Sequence, residues 1–265
     1  MENLSKIGRI FYGIAISGMG LLTVYYSDFP YMLIPPNHSW IAGFALLAYV
    51  SGALLFLTGV SVVFEKKTRP ISLLLASVLL LIFCFYFIPY QLLVSKNNMH
   101  FGDWENAAKE LALASGALII AGCFSKKNES AFIRHLGRLI PLGIILFSIT
   151  IISFSIDHFL YAKQAADYVP SWVPYHVFWL YFTGAALFGS GLVIILKIRR
   201  ELASTLLGSM IFIWVIILHI PRVINSPVAE LGSELTSALL ALAYCGIAFV
   251  IAGLLKRWLN NLALN

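Results

Sequence analysis

Eight apolar runs, each close to the ~20 residues that a helix needs to cross a bilayer, leave almost no chain for anything else. They fall at roughly 7–26, 40–63, 70–94, 106–123, 137–156, 174–196, 202–221 and 233–255, with polar, Pro-bearing or charged breaks between them. This pattern predicts an all-α integral membrane protein whose main partner is the lipid bilayer. The alternative, a soluble globule, needs more polar surface than 60% hydrophobic and 11% charged residues in 265 can supply, and the mean hydropathy is +0.88. The first run is full length and has a counterpart at 137–156, so it reads as a retained helix rather than a cleaved leader.

Lysine and arginine set the orientation. If the amino terminus lies on one side, that side carries Lys6, Arg9, Lys66, Lys67, Arg69, Lys126, Lys127, Arg134, Arg138, Lys197, Arg199, Arg200, Lys256 and Arg257, and the other has Lys96, Lys109, Lys163 and Arg222. Fourteen against four predicts an even number of spans with both termini cytoplasmic, in a cell or bacterial inner membrane. The net charge of +6 is then topological in origin and gives no support to nucleic-acid binding. Cys84, Cys123 and Cys245 form no C-x-x-C and read as inert thiols.

The second half of the chain repeats the first. Laying Gly8-Arg9 on Gly137-Arg138 brings Asp28 onto Asp157; after a three-residue shift, the stretch from Tyr49 to Ala53 falls on that from Tyr181 to Ala185, Gly59 on Gly191, and Ile88-Pro89 on Ile220-Pro221. Near the ends, Ser115 to Ala117 lies over Cys245 to Ile247. Four spans per unit is an even number, so residues 1–125 and 126–265 read as two parallel four-helix repeats, related by an axis near the membrane normal. Small residues at Gly13 with Ser17, Gly52 with Ala53, Gly184 with Ala185 and Gly189, and at Gly246 are expected to let helix backbones approach. In this register the second unit has His158, His219 and Arg222 where the first has Phe29, Phe87 and Tyr90.

Five stretches carry a family resemblance: V-P-S-W-V-P at 169–174, Y-F-T-G-A-A-L at 181–187, K-I-R-R at 197–200, L-H-I-P-R-V at 218–223 and A-L-A-Y-C-G-I-A at 241–248. The chain resembles the DoxX family of small membrane proteins over 135–255 and, through the repeat, more weakly over 7–123. The resemblance implies a four-helix unit with a Pro-rich external segment before its second helix, and a redox neighbourhood. Members are named for a subunit of an archaeal terminal quinol oxidase with thiosulfate:quinone oxidoreductase activity. It carries no catalytic residues onto this chain.

Ionisable groups cluster toward one side. Asp28, His38, His100, Asp103, Glu105, Glu110, Asp157, His158, Asp167, His176, Glu230 and Glu234 all map to the outer half. The sharpest constellation belongs to the second unit: Asp157 and His158 end its first span, Trp172 and His176 introduce the next, His219 and Arg222 end the third, and Glu234 begins the fourth. Ionisable side chains at membrane depth cost several kcal/mol unless paired or hydrated, which makes such a group a functional candidate. In the first unit Asp28, Lys109 and Glu110 form a second candidate, lining a cavity at the seam between units, with Lys109 and Glu110 neutralising each other or with Asp28 close to Lys109.

Three chemistries suit the second-unit cluster. His158 or His219 could exchange a proton with a quinone ring stacked on Trp172, Trp179 or Trp214, with Arg222 holding a carbonyl, because imidazole titrates near ~6.5. Two facing histidines could hold haem, and Asp157, His158, His176 and Glu234 could bind zinc. Haem and metal stand behind quinone, and for the metal site no His pair has the i, i+4 ligand spacing. Against all three stands an ordinary interfacial belt in which Arg222 staples helix ends to Glu234 or Asp157. The sequence thus favours an accessory or quinone-interacting subunit working with a membrane or periplasmic redox protein. A solute or lipid carrier running past Lys109 and Glu110, or a non-catalytic scaffold, remains the alternative. Pro89 and Pro221 are expected to kink or end matched helices, and Pro35, Pro36, Pro170 and Pro174 to shape external segments.

Overall fold

In the computed structural model the described residues are 2–34, 43–96, 99–124, 129–226 and 231–263, with side chains described as far as Leu254. His38, Glu230, Pro35, Pro36, Lys126 and Lys127, and the side chains of Lys256 and Arg257, lie outside them. The described residues are helical, with no strand among them. Eight long helices are α1 (Glu2–Tyr26), α2 (Phe44–Val63), α3 (Thr68–Leu93), α4 (Glu105–Gly122), α5 (Ala131–Leu160), α6 (His176–Ile195), α7 (Arg200–Asn225) and α8 (Ser233–Ala263). Seven of them, all but α4, are long and apolar enough to cross a membrane. The exception follows from its residues: Glu105, Asn106, Lys109 and Glu110 lower the hydropathy of an 18-residue helix that is otherwise Ala, Leu, Ile, Gly and Ser.

Packing explains why α4 can be built this way. Each helix packs on its neighbours in the chain, α8 closes the ring onto α1, and α4 and α8 touch across the middle. Every residue of α4 from Ala112 to Ala121 is buried, and 78% of the most apolar window of α8 is buried against 22% of that of α2. A helix at the centre of a ring meets protein on all sides, so it needs small residues for close contact more than it needs lipid-facing Leu and Phe. The expected boundary at 125/126 is bridged by the α1–α8, α4–α5 and α4–α8 contacts.

Helix geometry repeats at a spacing of 132 residues. The α2–α3 turn places Glu65 and Lys67 at φ 58° and 50°, and the α6–α7 turn places Lys197 and Arg199 at 62° and 39°. In both turns the same two backbone bonds close the helix: Phe64 N–H to Val60 O and Lys66 N–H to Ser61 O, then Leu196 N–H to Leu192 O and Ile198 N–H to Val193 O, all at 3.0–3.1 Å. α3 and α7 each widen into a π-helical turn, at Phe83–Phe87 and Val215–His219. Pro89 and Pro221 follow two residues later; each lacks an N–H and crowds the carbonyl four residues back. The expected kink is thus taken up as an extra residue in the turn, a known way of inserting irregularity into a helix.

Close contacts correct the register read from sequence for the first helix of each half. A Cβ on Gly8 would meet Gly246, Phe249 and Val250, while one on Gly143 would meet Ser115, Leu118 and Ile119, the same three sites 131 positions earlier. Gly8 therefore corresponds to Gly143 and not to Gly137, and the offset over α1 and α5 is 135. Gly52 and Gly184 agree: the first faces Gly20, Thr23 and Val24, the second His158 and Phe159. The position matching His158 is Thr23, not Phe29, and Asp28 no longer falls on Asp157. Gly13, Gly52 and Gly246 sit at backbone approaches as expected, Gly184 meets only side-chain atoms of His158 and Phe159, and nothing lies within 4 Å of a Cβ on Gly189.

Candidate functional site

The residues expected to form one layer across the second unit divide into two groups. Arg222, three residues beyond the end of its π-turn, and Glu234, in the first turn of α8, form one of them. Arg222 Nε donates to Glu234 Oε2 at 2.7 Å, its NH2 group donates to Oε1, and the guanidinium lies 4.4 Å above the centre of the Tyr168 ring. A two-pronged Arg–carboxylate bond fixes the plane of the guanidinium, and the ring beneath holds it from the other face. Arg222, Tyr168 and His176 line an open pocket of about 380 Å³ together with Asp167, Ser171 and Asn225, while Val169, Pro170, Leu218 and Pro221 supply apolar wall.

His219 stands behind this pocket. Its Nδ1 is buried with no hydrogen-bond partner, and it feels the charges of both Arg222 and Glu234. Trp172 does not join the group, being 68% exposed on the segment before α6. Trp179 and Trp214 do pack together, edge to face with ring centres 6.3 Å apart, against a small core of Ala162, Ala166, Val169, Val173 and Leu180. That core supports the pocket floor formed by the 167–171 segment.

Asp157 and His158 look elsewhere. His158 donates Nδ1–H to Phe154 O at 2.8 Å, and its Cβ lies against Gly184 on α6. Asp157 faces the start of α4, where it interacts electrostatically with Glu105, Lys109 and His100, yet both of its carboxylate oxygens are buried and unbonded. Around it, Lys109 pairs with Glu105 at 2.9 Å and sits 5.1 Å from the Tyr31 ring centre. Tyr31 shares a 3.1 Å bond with Ser237 of α8. Tyr161 accepts from Gly102 N–H and donates to His100 Nε2, each at 3.2 Å. The hydroxyl of Tyr244 is a third buried group without a partner.

This seam cluster corrects the first-unit expectation. Lys109 pairs with Glu105 rather than with Glu110, and Asp28 accepts from Phe29 N–H at 2.6 Å. Glu110 is fully buried rather than reaching for the surface, and neither of its oxygens is bonded. Among the described residues no three His, Cys, Asp or Glu come together as a metal site, so Asp157, His158, His176 and Glu234 do not form the zinc set considered from sequence.

Sequence reasoning missed the basic end of the bundle. There Arg9 and Arg69, 5% and 4% exposed, reach across to the carboxyl ends of other helices. Arg9 donates to Val62 O and Val63 O and pairs with Glu65 at 2.7 Å; Arg69 donates to Ala121 O at 2.9 Å and pairs with Glu129 at 2.5 Å. Each satisfies carbonyls that a helix terminus leaves free. Tyr168 and Tyr31 were also missed, since aromatic residues near a membrane interface are too common to stand out.

Fold and perimeter together define a multi-pass helical membrane protein. No protein-family model, curated protein or solved structure matches the chain.

Proposed function

We propose that this chain is a DoxX-type protein of the inner membrane, with both termini cytoplasmic and eight spans in two parallel repeats. It serves as a quinone-interacting accessory subunit of a membrane redox system, with its site at the outer end of the second repeat. The matched π-turns, helix-closing turns and glycine contacts support the repeat, and the basic residues of the α2–α3 and α6–α7 turns support the orientation.

The observation that carries the ligand reading is the pocket beside Arg222. A quinone headgroup is a flat ring with two carbonyl acceptors and an apolar tail. The guanidinium pinned by Glu234 and Tyr168 offers a fixed donor to one carbonyl, and His176 offers an imidazole at the same rim. Leu218, Pro221, Val169 and Pro170 offer apolar contact, and the volume of about 380 Å³ exceeds that of a single ring. A soluble redox protein would meet the bound headgroup from the outer side.

Mass spectrometry of lipids retained by the wild-type chain and by Arg222→Gln, purified together in mild detergent, tests this. Quinone retained by the wild type and lost from the variant supports the reading; equal retention, or none in either, overturns it. Carrier activity past α4 is the second reading, favoured by the unbonded carboxyls of Asp157 and Glu110.

A further inference from the structure

Glu110 is fully buried in the central helix, and both of its carboxyl oxygens lack a hydrogen-bond partner. It shares a helical stripe with Ala114, Ala117 and Ala121, and Ala121 is the residue whose carbonyl receives Arg69 from α3. α3 and its π-turn both pack on α4. A bare carboxylate cannot be held in such surroundings; it needs a proton or a cationic partner.

Among the described residues no cation pairs with Glu110. Lys109 is engaged by Glu105, and Arg69 by Glu129 at the opposite end of α4. The remaining titratable groups described on the elements packed against α4 are Cys84, Tyr86 and Tyr90 on α3, Arg134, Asp157 and His158 on α5, Tyr244 and Cys245 on α8, and Tyr12, which reaches α4 from α1; Arg134 donates to Glu129 O and Tyr12 to Leu113 O. Arg138 lies beside His135 at the basic end, Glu234 is held by Arg222, and Asp103 is held by His100. None of these supplies a positive charge to Glu110, so a proton is the ligand its surroundings admit.

We propose that Glu110 is a buried proton-binding site whose proton exchanges with solvent. The site is separate from the Arg222 pocket and stands or falls independently of the quinone reading.

Infrared spectroscopy of the full chain in lipid vesicles, on transfer from H2O to D2O, tests the proposal. The wild type is expected to show a protonated-acid carbonyl band that shifts in D2O and is absent from Glu110→Gln. A band that persists unchanged in Glu110→Gln, or that fails to shift in the wild type, overturns the site. Labelling of the wild type with dicyclohexylcarbodiimide needs no variant: the lipid-soluble reagent adds across a protonated carboxyl to give an N-acylurea. Modification of Glu110 is expected, and modification confined to other carboxyls contradicts the proposal.

Discussion

Replacing Gly8 with Ala should damage the fold more than the same change at Gly143, although the two glycines occupy corresponding contacts. A Cβ at Gly8 would lie 2.3 Å from Gly246 O, 2.8 Å from Phe249 Cβ and 2.9 Å from Val250 N, so α1 must recede from α8 by 1.1 Å to reach the 3.4 Å of ordinary contact. Backbone supplies two of those three atoms and no rotamer change can relieve them. At Gly143 the nearest atoms are Ile119 Cγ1 at 2.9 Å, Leu118 Cβ at 3.0 Å and Ser115 O at 3.0 Å, a deficit of 0.5 Å that a rotation of Ile119 partly absorbs. Overpacking costs about 1–3 kcal/mol; Gly8→Ala belongs at the top of that range and Gly143→Ala near the bottom. Reversible unfolding in mixed micelles, followed by tryptophan fluorescence, gives both values. Because Gly8 and Gly246 meet each other, the double Ala variant should lose less than the sum of the singles. A Gly8→Ala protein within about 0.5 kcal/mol of wild type, or a larger loss at Gly143, would refute the α1–α8 contact.

Arg69→Met should be among the most destabilising single changes, by about 3–5 kcal/mol, because it strands the buried carboxylate of Glu129 and uncaps Ala121 O; denaturation of the variant checks this. Glu110→Leu should raise stability in the same assay by about 1–3 kcal/mol, the cost of a buried polar group left unbonded. Arg222→Lys keeps the charge but loses the second prong to Glu234, and should weaken quinone-analogue binding by about tenfold in a fluorescence titration. Trp172→Phe should leave that titration unchanged, since the indole stands outside the pocket.

Hydrophobic length and charge bias made the helices legible, because both are properties of runs of residues rather than of partners. The same reasoning located Arg222, His176 and Glu234, since membrane-embedded ionisable residues are rare enough to be conspicuous. It placed Asp157 and His158 with them because depth can be estimated from sequence whereas rotation about a helix axis cannot be fixed without knowing the neighbours. The 129-residue register was attractive because Gly8-Arg9 and Gly137-Arg138 are identical pairs; in the fold Arg9 is buried on α2 carbonyls and Arg138 is exposed beside His135. Identity of two residues weighed less than the contacts of Gly8 and Gly143, which only packing reveals. The partner of Lys109 was misjudged for a related reason. Glu105 lies four residues before it, one helical turn away on the same face, whereas its sequence neighbour Glu110 points about 100° around the helix.

The proposed docking of a quinone headgroup in the Arg222 pocket is tested most directly by photo-crosslinking with an azido-quinone in lipid vesicles, followed by peptide mapping. Adducts are expected within residues 167–176 or 218–225 that excess unlabelled quinone suppresses. Adducts scattered over lipid-facing residues such as Leu46, Leu54 and Phe85, and insensitive to competition, would contradict it.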